Sequence, residues 1–215
     1  MNHLIDVPVT TVVSLSAERA VLVVRAILRA ECGYAKLSPT ALTISDRLSV
    51  ADGGIDAEVN ASTEAHVPED CLLRPGLSGF QIKSGTSFKP WTNSSIRGEL
   101  IDRNGRLFSE VARLVERNGC YVLICTGHDL TPQQRNDARI QIINVLAEVG
   151  VEDYENLIDV LGASQLAEFA ERYPGTASLL AINPIQEAWT LDEWQRDAHM
   201  SNEFLISKNV QPPRW

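Results

Sequence analysis

Four cysteines, Cys32, Cys71, Cys120 and Cys125, are scattered over 215 residues, and no two stand in C-x-x-C spacing. That argues against both a disulfide framework and a thiolate zinc site. Cys120 and Cys125 lie inside one apolar run, where they read as small core residues. His3, His66, His128 and His199 are equally isolated, without the H-x-H or H-E-x-x-H spacing that puts two imidazoles on one ion. No apolar run approaches the roughly 18 residues of a membrane span, because the most hydrophobic segment, AVLVVRAILRA, is broken by Arg25 and Arg29. The opening MNHLIDVPVTTVV lacks the basic head and cleavage site of a signal peptide. These absences leave the expectation of a cytoplasmic protein, not bound to a membrane, whose stability comes from its core.

At 44% hydrophobic and 22% charged residues, the chain suits one sizeable core better than two. The main domain is expected over 1–175 and a helical extension over 176–206. The tail 207–215, SKNVQPPRW, reads as a linker or an artificial chain end. The net charge of -9 is unevenly spread. Residues 1–70 hold 5 Lys/Arg against 10 Asp/Glu, residues 71–140 hold 10 against 6, and residues 141–215 hold 4 against 12. Only the middle third is basic, which is the kind of local patch a phosphate backbone requires; the acidic total argues against a tight free-standing nucleic-acid binder. Arg103, Arg106, Arg113 and Arg117 equally suit a solvated helix face.

The periodicity predicts an alternation of strands and helices. Ser16 is a good N-cap for AERAVLVVRAILRAE, which should form a helix packed on more than one side. TALTISDRLS, at 40–49, alternates as a half-buried strand does, and Asp52-Gly53-Gly54 makes a turn. A Gly/Ser/Pro-rich connection runs through Trp91, and GRLFSEVARLVERNG, 105–119, is an amphipathic helix ended by Asn118-Gly119. CYVLICT, 120–126, is apolar throughout, as a strand covered on both faces would be. Thr131-Pro132-Gln133-Gln134 supplies an N-cap, a proline at the first helical position and a capping-box glutamine for a helix to about Val149. LIDVLG, 157–162, reads as a further buried strand, and ASQLAEFAERYPG as a helix stopped by Pro174-Gly175. Thr190 to Glu193 opens a short acidic helix through His199. Strand, helix, strand in this order implies a parallel crossover, and hence an α/β fold: a mixed sheet with helices on both faces.

GGIDAEVN, 53–60, and GFQIKSG, 79–85, read as an antiparallel pair. Alternation puts Ile55, Ala57 and Val59 on one face with Phe80 and Ile82, and Asp56, Glu58, Gln81 and Lys83 on the other. A polar face held partly away from water needs partners, and a divalent cation is one. Two carboxylates at i and i+2, a neutral amide oxygen and a nearby ammonium suit magnesium and the hydrolysis of a phosphodiester. A solvated hairpin face is the ordinary alternative.

The helix bearing Glu18, the Gly53-Gly54-Ile55-Asp56 strand and the Gln81-Ile82-Lys83 strand together resemble the Mrr-like branch of the PD-(D/E)XK nuclease superfamily. The similarity runs over about residues 16–172, because the later helix, apolar strand, helix and LIDVLG strand follow in the family's order. It implies a restriction-endonuclease-like sheet and a metal-dependent endonuclease acting on DNA, double-stranded by preference. By this resemblance Asp56, Gln81 and the carbonyl of Ile82 would hold Mg2+, with Mn2+ an acceptable substitute. Lys83 would position or help deprotonate the attacking water, Glu18 would reach in from its helix, and Glu58 is a further candidate ligand. Two positions depart from the superfamily's pattern: Ile55 stands where the namesake proline would be, and Gln81 replaces the usual acid, a recognised variation of the Mrr-like branch that leaves one fewer negative charge for the metal. Similar domains open bacterial antiphage STAND NTPases, where an NTPase and a sensor follow and oligomerisation activates cleavage; membership of such a chain, or a homo-oligomer, is therefore expected. A catalytically silent nucleic-acid-binding or oligomerisation module of the same fold, and a small-molecule domain using the loop at 84–98, are the competing readings.

Overall fold

Ser16 does what a serine N-cap should: its Oγ accepts the Arg19 N–H at 3.3 Å, at the start of the longest described helix. In the computed structural model, residues 6–44 and 54–180 are described. They lie in the first of two compact units, Met1–Ile182, and the second, Asn183–Trp215, lies outside them. The short helix α1 (Val9–Val13) precedes α2 (Ala17–Tyr34), on which Ala20, Val23, Val24, Ile27, Leu28 and Glu31 are buried at helical spacing.

Five strands form one mixed sheet in chain order: β1 (Leu42–Ile44), β2 (Ala57–Asn60), β3 (Leu77–Lys83), β4 (Cys120–Cys125) and β5 (Ile158–Leu161). β1, β2 and β3 pair antiparallel, and β3, β4 and β5 pair parallel, as the expected crossover requires. Every residue of β4 is buried, because helices cover both faces of the sheet. On one side Ala57, Val59, Phe80, Val122 and Ile124 pack with α1, α2, α6 (Ala163–Glu171) and α7 (Pro174–Leu180). On the other, Leu77, Tyr121, Leu123, Ile158 and Val160 pack with α3 (Asn93–Leu100), α4 (Ser109–Glu116) and α5 (Pro132–Ala147). The chain is an α/β protein, and no described helix is long and apolar enough to cross a membrane.

Several local expectations need correction. The connection through Trp91 contains α3, whose buried Ile96 and Leu100, four apart, dock on the sheet. The helix placed at 105–119 begins only at Ser109, since Leu107 bridges back to Ile101. The helix read up to Pro174-Gly175 stops at Glu171, and Pro174 opens a further helix, α7, where a proline's missing N–H costs nothing. Ile55 does not join Ala57 and Val59. It packs on the opposite face, with Val111 and Leu114 among its cluster, because the chain bends at Asp56 before β2 begins. Of the strand read at 40–49, residues 42–44 are seen and the rest lies outside the described residues, as do the helix read at Thr190–His199 and the tail.

One buried carboxylate ties three segments together. Glu31, with no exposed surface, accepts hydrogen bonds from the Cys71 thiol at 2.7 Å, the Leu72 N–H at 2.5 Å and the Tyr173 hydroxyl at 2.7 Å. Helix α2 is thereby fixed to the 61–76 connection and to the α6–α7 junction, and the carboxylate is satisfied without a cation.

Two predictions follow from this packing. Burial pushes the thiols of Cys120 and Cys125 up to about 12. The folded state therefore keeps protons that unfolded thiols release near pH 8.5. Their contribution is intact below that pH and is lost as pH rises toward 12, at up to ~1.4 kcal/mol per pH unit per thiol. Urea midpoints under reducing conditions should fall from pH 8 to pH 10.5, and less steeply for Cys125→Ala. Separately, Gly54 has φ +85, and a Cβ there would lie 2.8 Å from the Glu99 carbonyl oxygen and 2.9 Å from Val111 Cγ2. Gly54→Ala should cost at least about 2 kcal/mol in chemical denaturation.

Candidate active site

The face of β3 that carries Gly79, Gln81 and Lys83 looks toward α3 and α4, and here four side chains meet. Gln81 stands opposite Leu123 and Lys83 opposite Cys125 in the parallel register with β4, so Lys83 closes the strand at its carboxyl end. That end of a parallel pair, where loops diverge, is where α/β sheets commonly place ligands. Gln81 is 2% exposed, so both ends of its amide must be satisfied within the protein. Its nitrogen donates to Glu99 Oε2 at 2.7 Å, and its oxygen accepts a short hydrogen bond from the Tyr121 hydroxyl. An ionised carboxylate only accepts, which fixes the amide's orientation. The same Glu99 oxygen meets Lys83 Nζ at 2.5 Å, both side chains being about one-quarter exposed (25% and 27%). Lys83 Nζ also sits 5.8 Å from the Phe88 ring centroid.

Asp56 approaches the same strand from its edge. Its N–H donates to the Phe80 carbonyl at 2.8 Å, and its Oδ2 accepts the Ile82 N–H at 2.6 Å. The carboxylate is thus clasped to the main chain between Gln81 and Lys83. Burial pushes the Tyr121 hydroxyl well above the usual phenol range; the charges of Glu99 and, further down, of Asp56 push in the same direction. Burial also dominates at Cys125, where Lys83 pulls the thiol down and Glu99 pushes it up. Tyr121 therefore stays a neutral donor, and the site's negative charge rests on its carboxylates.

Two of the residues expected here lie elsewhere. Glu58 shares the sheet face, but its carboxylate is paired with Arg113 of α4, which also holds Glu110 at 2.7 Å. That cluster borders a groove of about 310 Å³ onto which Thr43, Asp56, Glu110 and Arg113 also face. Glu18 is exposed in the first turn of α2, 3.5 Å from Ser16 Oγ, and α2 packs against the other face of the sheet. The structure does not bring Glu18 into the group. Trp91 is half-buried at the core edge, its ring 5.1 Å from that of His128 in an edge-on contact, while His128 Nε2 meets the Phe88 carbonyl at 2.7 Å.

Glu99 is the member that the strand alternation could not supply, because it arrives on α3. The signal for that helix was present in Ile96 and Leu100 on one face, but the surrounding Gly, Ser, Asn and Pro read as a connection.

As donors for an ion, the group offers the Asp56 and Glu99 carboxylates and the main-chain carbonyl of Ile82, an all-oxygen set that fits a hard cation such as Mg2+. Among the described residues, no three His, Cys, Asp or Glu side chains gather to hold an ion, so water or substrate oxygens would have to complete the coordination. Compared with protein-family models, with curated proteins and with solved structures, the chain matches none of them.

Proposed function

We propose that this chain is a metal-dependent endonuclease that hydrolyses DNA phosphodiester bonds. The observation that carries the reading is the gathering of two carboxylates about residues 81–83, Asp56 on the Ile82 N–H and Glu99 on the side chains of Gln81 and Lys83. A lysine ammonium and an aspartate fixed within one strand end are what phosphate hydrolysis needs from a protein: one group to hold a cation, another to orient water and offset charge on phosphate. The resemblance to Mrr-like PD-(D/E)XK nucleases, carried by a helix, an antiparallel pair, a later helix, a buried strand, a helix and a strand, is supported by elements that follow in this sequence, with two helices, α3 and α4, between β3 and β4.

In this reading Asp56 and the Ile82 carbonyl would hold Mg2+ or Mn2+, which when bound would polarise the phosphate and lower the pKa of a bound water. Lys83 directs a water toward phosphorus. The water oxygen bonds to phosphorus as the bond to the leaving oxygen breaks, the water gives up a proton and the leaving oxygen takes one up from solvent, and the products are a phosphate monoester and a free hydroxyl. Gln81 takes a positioning role, because Tyr121 occupies its oxygen. The same burial of Gln81 favours the competing reading, a silent nucleic-acid-binding or oligomerisation module, and activity separates the two.

Cleavage by an oligomerised effector within a larger NTPase and sensor chain, acting in antiphage defence, completes the proposal. Plasmid DNA incubated with Mg2+ should be cut by the protein at high concentration or when clustered through a fused oligomeric tag, and chelator should abolish cutting. Lys83→Ala should lower the rate at least about a hundredfold. A metal-independent rate, or equal rates for parent and Lys83→Ala, would exclude the hydrolase. Strong cutting by dilute monomer would exclude only the clustering requirement.

A further inference from the structure

We infer that Glu99 is the second carboxylate of the cation site, reaching in from α3 where the strand offers an amide at Gln81, and that a bound cation takes over the place Lys83 now holds against it while the Gln81 amide keeps its hydrogen bond. The inference rests on the metal-dependent reading above and assigns a ligand within it.

With an amide at position 81, the strand alone offers one carboxylate, Asp56, and neutral oxygens, which is little negative charge for a divalent ion. Glu99 lies beside that amide, its Oε2 2.7 Å from Gln81 Nε2, so its carboxylate sits one hydrogen bond beyond the point an acid at 81 would reach.

Helix α3 is also held in place beside Asp56. The main chain of Glu99 packs against Gly54, where even a Cβ would come within 2.8 Å of its carbonyl oxygen. Two residues later the chain places Asp56 on the Ile82 N–H. The segment that carries one carboxylate is therefore seated on the residue that carries the other, and both converge on residues 81–83.

A lone half-buried carboxylate needs positive charge or donors. Here the Lys83 ammonium at 2.5 Å and the Gln81 amide supply them on one oxygen, Oε2. A divalent cation would answer the same need more strongly, and its arrival frees the ammonium for the phosphate. Metal binding and release of Lys83 are then one event, which keeps the lysine engaged while the cation is absent.

The test measures Mn2+ binding to the whole chain, by titration calorimetry and by the electron paramagnetic resonance signal of the free ion, so that it does not depend on cleavage. Glu99→Gln should weaken binding at least about tenfold. Lys83→Met should tighten it several-fold, because the competing cation is gone. The exchanged pair Gln81→Glu with Glu99→Gln should return affinity to within about threefold of the parent, since Tyr121 and the amide partner are conserved with the acid moved. Equal affinity for the parent and a folded Glu99→Gln would overturn the Glu99 assignment while leaving the hydrolase reading standing. Were Glu99→Gln to unfold, the sign of the Lys83→Met effect decides: unchanged or weaker binding overturns the assignment. A parent chain that binds no Mn2+ overturns both.

Discussion

A primary amide sealed inside a protein must find partners for its oxygen and its nitrogen, and Gln81, 2% exposed on the central part of the sheet, imposes that demand here. The oxygen is answered from the next strand by Tyr121, whose phenol stays protonated because it is buried and faces negative charge. The nitrogen is answered from a helix, by Glu99. Once Glu99 is drawn beneath the sheet it requires a cation of its own, and Lys83, two residues along the same strand face, provides it. One buried side chain thus accounts for the placing of a strand neighbour, a helix and a lysine.

The strand that carries Gln81 is also where the two halves of the sheet join, antiparallel on the β2 side and parallel on the β4 side. Near its carboxyl end β2 has not yet begun, and the Ile82 N–H would be left without a ladder partner. The Asp56 carboxylate takes it. The bend at Asp56 is therefore a structural necessity at the change of pairing as well as the device that presents a carboxylate. Gly54, with φ +85 and almost no clearance from Glu99, permits that bend and sets its distance from α3.

The sequence made some of this legible. The all-apolar run of β4, the capped start of α5 and the N-cap at Ser16 each rest on local rules that tertiary structure had no reason to override, and all three stand. Polar alternation placed Glu58, Gln81 and Lys83 on one face for the same reason, since antiparallel pairing preserves the period of two. Failures came where a long-range contact decided. Ile55 left its expected face because Asp56 bends the chain to reach Ile82, a partner 26 residues away. Helix α3 hid among turn-forming residues, since only two apolar side chains anchor its eight residues and what fixes it is the sheet they cover. Glu31 sits at helical spacing from Ile27 and Leu28, on a face whose burial implied that its carboxylate must be satisfied, but nothing in the order of residues pointed to Tyr173, 142 positions on.

The basic middle third bears on how such a site would meet a polyanion. Four of its cations are engaged within the fold: Arg74 with Asp159, Lys83 with Glu99, Arg97 with Glu148, and Arg113 with Glu58 and Glu110. A patch that looks positive along the chain is thus neutralised in part in space, four of its ten cations being paired. Exposed pairs of this kind contribute only about 0–1 kcal/mol each, so a phosphate backbone can displace their acids, but it gains correspondingly little at each exchange. In a protein of net charge -9, the remaining long-range field is repulsive toward nucleic acid. On the hydrolase reading, affinity must therefore come from the cation bridging protein and phosphate and from the summing of weak contacts over several copies. Tethering copies raises effective concentration by orders of magnitude without any new contact. The electrostatics of this domain alone thus give a physical reason why assembly, rather than an increase in intrinsic affinity, would switch cleavage on.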